Sequence, residues 1–474
     1  MPLATPKFPE GSPPAALAAG LRQRLMSSWK SPAAVFAVLA CCFGTLFLAI
    51  TPPLQVPDEP LHFYQAYSVA YGNFLDKSAT QIPLNARTVQ KSFEHLAGHP
   101  ERKTSSAQIR EAFQVPLDPE KRGPDSTFGN PFLTYAFGAL GIRLGAALEL
   151  PPVALMYLGR FFTFLFWLSA TYLAIRLSPV LKWTLCALAL TPMSVFEGAS
   201  LSADSFTNAW CFLFIAYVFH LSYGPRNTPL RSGDYALLLI LSLPVTFSKF
   251  VYGVLVLLFW LIPGSRFPSK GVRWLSFFGL SGIHLALFAW WMSLKSKLGL
   301  PPPFPDVSAS RQLAHLKTDL WNYWDVVWRS LCEQGEGYWK AFVGILGWLD
   351  TVLPDYVYYL YFGIFILLWA ADKTTPRSIR WTDRIWALSA LILGLASVLT
   401  SQYLLWTSVG KGTIDGVQGR YFIPLSPLPF LAFFPPRILR PILDKFSAYV
   451  LAALPALMAL GLALALRGIL LRYY

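Results

Sequence analysis

The segment Gln55-Val56-Pro57-Asp58-Glu59-Pro60-Leu61-His62-Phe63 sets two adjacent carboxylates and a histidine among prolines, directly after a long apolar run. Charges at the edge of lipid are costly to desolvate, so they need a partner or a task. Asp58 or Glu59 can act as general base toward a hydroxyl, while its neighbour binds a divalent cation or pairs with a basic side chain. The same pair also suits the start of a helix from Pro60 to Tyr71, with an acidic N-cap followed by proline. His62 adds a hydrogen-bonding ring to the same segment.

Further residues with chemical potential lie far apart along the chain. Arg160 stands in the apolar run Tyr157-Leu158-Gly159-Arg160-Phe161, where an arginine is expected to face the interior and pair with an anion. Glu197 and Asp204 are the expected anions, and Asp204 is equally suited to cap the helix that follows it. Lys249, in Phe247-Ser248-Lys249-Phe250, has no other charge near it in sequence and can either snorkel or hold a lipid phosphate. Arg420 closes Gly416-Val417-Gln418-Gly419-Arg420-Tyr421, where two glycines allow close backbone approach and the guanidinium suits a phosphate. Gln418 and Tyr421 belong to the same candidate binding segment. Asp58, Glu59 and Asp204 are the candidate ligands should a divalent cation, Mg or Mn, be required; no cofactor is otherwise indicated.

The elements that must position these groups are membrane helices. Hydrophobic residues make up 54% of the chain and charged residues only 14%, with a mean hydropathy of +0.45. That surface is too apolar for water, and windows of about 18 apolar residues recur along the chain. Residues 1–31 read as a cytoplasmic N-terminal tail with Arg22, Arg24 and Lys30, followed by a single transmembrane domain over 32–474. The expected fold is all-α and polytopic, with about eleven spans near 32–50, 153–175, 183–200, 205–222, 234–247, 250–263, 274–294, 355–371, 385–404, 421–435 and 447–466. The five cysteines show neither a disulfide framework nor metal-ligand spacing.

Charge gives the orientation. With Phe132 to Leu148 read as an interfacial helix, one side collects Arg176, Lys182, Arg226, Arg231, Arg266, Lys270, Arg273, Lys373, Arg377, Arg380, Arg384, Arg437, Arg440 and Lys445. The positive-inside bias makes that side cytoplasmic. If the segment spanned, all of them would land outside. The net charge of +14 is thereby explained without nucleic acid, for which no basic face or motif is present. The loops 51–152 and 295–354, the turn near Ser200 to Ser205 and the loop 405–420 then share the extracytoplasmic face. Loop 295–354, with Pro301-Pro302-Pro303 and Trp321, Trp324, Trp328 and Trp339, suits amphipathic helices at the interface, with sugar stacking as the sharper use of a tryptophan.

Four ordered stretches resemble the bacterial membrane family known as domain of unknown function 2142. They are Pro52-Pro53-Leu54-Gln55-Val56-Pro57-Asp58-Glu59-Pro60-Leu61-His62-Phe63-Tyr64, Leu190-Thr191-Pro192-Met193-Ser194 through Ser200-Leu201-Ser202-Ala203-Asp204, Gly347-Trp348-Leu349-Asp350-Thr351-Val352-Leu353-Pro354, and Gly416-Val417-Gln418-Gly419-Arg420-Tyr421. The resemblance implies a relation to the GT-C glycosyltransferases, which take sugars from polyprenyl-phosphate carriers on polytopic helical folds. By that resemblance Asp58 or Glu59 occupies the place of the catalytic base and Asp204 that of a second acid, while Lys249 and Arg420 hold the carrier phosphate. The adjacent Asp58-Glu59 pair departs from the spaced acidic motifs of several relatives.

The expected function is therefore an inner-membrane glycosyltransferase moving a sugar from a polyprenyl-phosphate carrier to an extracytoplasmic glycan or lipid-linked acceptor. Asp58 or Glu59 would be catalytic, and His62, Arg160, Asp204, Lys249, Gln418, Arg420 and Tyr421 would bind substrate. Membrane lipids are the remaining partners. The alternatives are a lipid-linked glycan transporter or flippase, or a non-catalytic scaffold of an envelope polysaccharide complex. A flippase needs a polar path, and the inner halves of the spans are nearly free of ionisable groups.

Overall fold

The computed structural model describes residues 31–74, 82–118, 120, 130–225, 228–298, 304–318, 320–372, 379–435 and 440–474. The N-terminal tail, Gly123-Pro124, Pro301-Pro302-Pro303 and the loop cations Arg226, Lys373, Arg377 and Arg437 lie outside the described residues. The described residues are all-α apart from one two-stranded hairpin.

Helix α1 (Pro32–Ile50) starts on proline, whose missing N–H costs nothing at a helix start. After it come α2 (Glu59–Ala70), α3 (Leu84–Glu94) and α4 (Ser106–Ala112), then a 3-10 turn (Phe132–Tyr135) leading into α5 (Ala136–Ala147). Helix α6 (Pro152–Leu177) is followed by two short helices, α7 (Lys182–Ala189) and α8 (Pro192–Gly198), and by α9 (Ala203–Tyr223) and α10 (Ser232–Ser248). A 3-10 helix covers Phe250–Leu261, and α11 (Lys270–Leu298), α12 (Ala309–Thr318) and α13 (Leu320–Gly344) come next. Strands β1 (Ile345–Leu346) and β2 (Thr351–Val352) pair antiparallel, with Ile345 opposite Val352. The chain closes with α14 (Asp355–Ala371), α15 (Trp381–Leu405), a 3-10 helix (Gly419–Leu425), α16 (Pro427–Ala432) and α17 (Arg440–Tyr473).

Among the described residues six helices are long and apolar enough to cross a membrane: α1, α6, α9, α11, α15 and α17. Four shorter apolar helical segments, Phe132–Ala147, α10, Phe250–Leu261 and α14, add to them. The expected count of eleven is not reached by α-helices of spanning length among the described residues. The segment expected to span 183–200 breaks at Thr191-Pro192, because proline donates no amide to the preceding turn. The freed groups are bonded internally: the Tyr361 hydroxyl donates to Leu190 O at 2.7 Å and Ser194 Oγ to Leu188 O at 2.9 Å. Internal partners of this kind are what irregular backbone away from water requires. The expected spans at 250–263 and 421–435 likewise appear as 3-10 and short helical segments.

Helix α5 forms a hairpin with the start of α6. Gly138, Gly141 and Gly145 lie on one face, and a Cβ at Gly141 would sit 2.3 Å from Leu158 O. Small residues at this spacing bring two helix backbones together. Gly44 of α1 abuts Phe164, and Arg160 bonds the carbonyl of Thr51 just past the end of α1. The first two turns of α6 therefore project beyond α1, and α5 packs against that projecting part.

Three of the loop cations, Arg266, Arg273 and Arg380, gather at the opposite end of the bundle. Arg266 donates to Leu221 O at 2.5 Å, Arg273 to Ile262 O at 2.9 Å and Arg380 to Leu261 O at 2.8 Å. Asp204 and Leu221 lie near opposite ends of the 21-residue α9, which spans about 30 Å at 1.5 Å per residue. On α13, Trp321, Trp324 and Trp328 fall on one exposed face, as an interfacial aromatic belt would.

Candidate functional site

Buried charges converge where α1 ends. Asp58 is the N-cap of α2 in a left-handed conformation, φ 62°, and its side chain makes no capping hydrogen bond. A non-glycine residue in this region costs energy that the surroundings must hold, and such strain concentrates at functional sites. The turn aims the two neighbouring carboxylates differently. Asp58 is half exposed, whereas Glu59 is fully buried.

Glu59 is clasped by Arg160 through two bonds, 2.7 Å from Nε to Oε1 and 2.5 Å from Nη2 to Oε2. Leu201 N donates to Oε1 at 3.2 Å, and Arg160 also donates to Thr51 O at 2.8 Å and Pro52 O at 3.0 Å. The expectation that Arg160 pairs with Glu197 or Asp204 is thus corrected. Arg160 lies level with the end of α1, and the Pro57–Pro60 turn brings Glu59 to it first. With both oxygens occupied, Glu59 ties the loop after α1 to α6 rather than facing a ligand.

Glu197 and Asp204 belong to Arg420. Its Nη1 lies 2.5 Å from Glu197 Oε1, its Nη2 3.3 Å from Asp58 Oδ2 and its Nε 3.4 Å from Asp204 Oδ2. The guanidinium is only 2% exposed. Lys249 pairs with the other oxygen of Asp204, and its ammonium lies 4.6 Å over the Tyr421 ring. Ser202, not Asp204, caps α9, accepting from Asp204 N at 3.1 Å. That leaves the Asp204 carboxylate to the two cations. Three carboxylates thus surround Arg420, with Lys249 as the second cation, so Arg420 is internally compensated rather than an open phosphate clamp. The groups that reach the surface of the cluster are Asp58 and, at 22% exposure, Lys249.

His62 follows Asp58 by one helical turn and sits 2.7 Å through Nδ1 from the Tyr135 hydroxyl. Burial lowers its pKa to about 4, against the opposing pull of Asp58 and Asp204. Gln418 is the N-cap of the 3-10 helix that carries Arg420, with a buried side-chain oxygen that has no partner among the described residues. Tyr421 fixes that helix from the other side, its carbonyl accepting from the Tyr252 hydroxyl at 2.8 Å. Among the described residues no group of three or more His, Cys, Asp or Glu side chains is arranged to hold a metal ion. Asp58 and Asp204 are instead bridged by Arg420, and Glu59 stands on the other arginine.

The glycines flanking Arg420 serve packing rather than ligand approach. Gly416 has φ +74°, and a Cβ there would meet the Trp406 ring at 2.1 Å. At Gly419 a Cβ would lie 2.0 Å from Tyr338 O and 2.3 Å from Phe342 N, both backbone atoms of α13. Gly419→Ala is accordingly expected to destabilise the protein by about 1–3 kcal/mol, since backbone cannot yield as a side-chain tip can. Thermal unfolding in detergent checks this against Gly363→Ala, inside α14 with nothing within 4 Å, where no destabilisation is expected.

The motif from Gly347 to Pro354 braces the same end. Trp348 Nε1 donates to Leu54 O at 3.1 Å, and Asp350 accepts from Arg472 at 2.7 Å. Arg472 also reaches Leu96 O at 2.5 Å, so the end of α17 holds the first long loop in place. Behind the 3-10 helix of Arg420 lies a cavity of about 350 Å³ lined almost wholly by apolar side chains, among them Trp339, Phe342, Phe365, Phe422 and Phe430.

Sequence reasoning missed Tyr135 and Tyr252, and linked Glu197 to the wrong arginine. The available signal for Glu197 was an acid inside an apolar helix, which requires a cation but does not say which. No curated protein and no solved structure matches the chain. A family model described as predicted membrane protein, domain of unknown function 2142, matches residues 41–429, and with so much of its length covered the chain belongs to that family.

Proposed function

We propose that this protein is a membrane glycosyltransferase that moves a sugar from a polyprenyl-phosphate carrier to an extracytoplasmic glycan or lipid-linked acceptor. The observation that carries the reading is Asp58: alone among the acids around Arg420 it is half exposed, held in a strained turn with Lys249 and His62 in the same cluster. In this reading the acceptor hydroxyl oxygen attacks the anomeric carbon as Asp58 takes its proton. The bond from that carbon to the carrier phosphate breaks, and the phosphate leaves with the electron pair, stabilised by Lys249. A single displacement of this kind inverts the anomeric centre.

Arg420 then orients Asp58 and balances the acids behind it, and Glu59 with Arg160 fixes the loop on which Asp58 sits. The apolar cavity behind Arg420 supports a lipid-borne donor, having the character of a place for a hydrocarbon chain. The gathering of Arg266, Arg273 and Arg380 at the far end supports an extracytoplasmic site in a bacterial plasma membrane.

The test is transfer of label from radioactive polyprenyl-phosphate sugars in membranes that contain or lack the protein. Protein-dependent transfer that requires Asp58 is the expected result. A broad donor panel left unconsumed would move the reading to transport or scaffolding.

A further inference from the structure

Tyr135 enters the site without any signal in the sequence. Its hydroxyl accepts from Asn130 Nδ2 at 3.1 Å and lies 2.7 Å from His62 Nδ1. Among the described residues His62 Nδ1 is the acceptor within hydrogen-bond distance of the hydroxyl, whose oxygen already accepts from the amide, so the phenol proton goes to the imidazole. Nδ1 is then the acceptor, and a neutral ring must carry its own proton on Nε2. Burial favours the neutral ring and the protonated phenol alike. The charged groups acting on His62 are Asp58 of its own turn, Asp204 of α9, Lys249, and Arg420 of the last 3-10 helix. Nε2 has no hydrogen-bond partner among the described residues. His62 N donates to Asp58 O at 3.0 Å, so the two residues lie one turn apart, and Asp58 is the strongest of the charges acting on the ring.

We propose that Tyr135 is a positioning residue that fixes His62 as the Nε2–H tautomer, and that this N–H donates to a ligand oxygen next to the hydroxyl held by Asp58. The ligand class is a polyol with two neighbouring oxygens, one giving its proton to Asp58 and the other accepting from His62. The ligand half rests on the reading of Asp58 as base; the tautomer half does not.

The tautomer is read by nitrogen NMR of the full chain in nanodiscs with imidazole-labelled histidine, the His62 signal among six histidines being assigned through His62→Gln. At pH 7 the expected spectrum is a protonated Nε2 and an unprotonated Nδ1, unchanged on acidification to pH 5.5. Tyr135→Phe should give a mixture of tautomers, and Asn130→Ala, which removes the amide that directs the phenol proton, should shift the population the same way by less. A proton on Nδ1 at pH 7, or an imidazolium there, overturns the assignment in the wild type alone, whatever the variants do.

The donor role is read in the transfer assay. His62→Gln carries an amide N–H near the Nε2 position and His62→Asn one near Nδ1, so Gln should transfer about tenfold more than Asn, the worth of one neutral hydrogen bond. Equal transfer by the two overturns the donor role. A wild type that transfers no sugar overturns the proposed function and the polyol with it, leaving the tautomer to be decided by NMR.

Discussion

Asp58→Asn should lower sugar transfer by about 10²–10⁴-fold, the contribution of a positioned general base, while leaving expression and thermal unfolding unchanged. The amide has the shape of the carboxylate but cannot take a proton at neutral pH. The side chain is half exposed and makes no capping bond, so little folding energy depends on its charge. Arg420→Gln should behave differently. It removes the cation shared by Asp58, Glu197 and Asp204, two of them buried, and transfer and stability should fall together. Initial rates at matched expression, with unfolding of the purified proteins in the same detergent, separate the two patterns. Full transfer by Asp58→Asn would remove the base from the mechanism.

Breaking the Glu59–Arg160 pair should cause the largest loss of stability, about 3–5 kcal/mol for Arg160→Met, by leaving an uncompensated charge where neither side chain touches solvent. Arg160 also holds the carbonyls of Thr51 and Pro52, so the loss extends to the whole loop after α1. Glu59→Gln should cost less than Arg160→Met, because the amide still accepts from the guanidinium. Adding Glu59→Gln to Arg160→Met should recover part of the loss, since the stranded carboxylate is then neutral. Chemical unfolding of the three variants in detergent measures this order. A catalytic Glu59 would instead leave Glu59→Gln folded as stably as the wild type yet inactive in transfer.

Membrane character and helical class were legible in the sequence, because lipid imposes them through composition alone. An apolar run has to satisfy its backbone internally. The residues of the candidate site were legible for a related reason: a charged residue inside or at the edge of an apolar run is rare enough to mark itself, as Asp58, Arg160, Asp204, Lys249 and Arg420 do. Tertiary structure alone decided how they pair. A buried charge demands a counter-charge, but sequence does not say which one lies beside it, and the left-handed turn at Asp58 sends Glu59 to Arg160 and leaves Asp58 to Arg420. Only the fold, likewise, could give the glycines at 416 and 419 to Trp406 and α13 rather than to a ligand, and bring Tyr135 against His62. These contacts join segments tens to hundreds of residues apart, and their free energy exists only once the helices have packed.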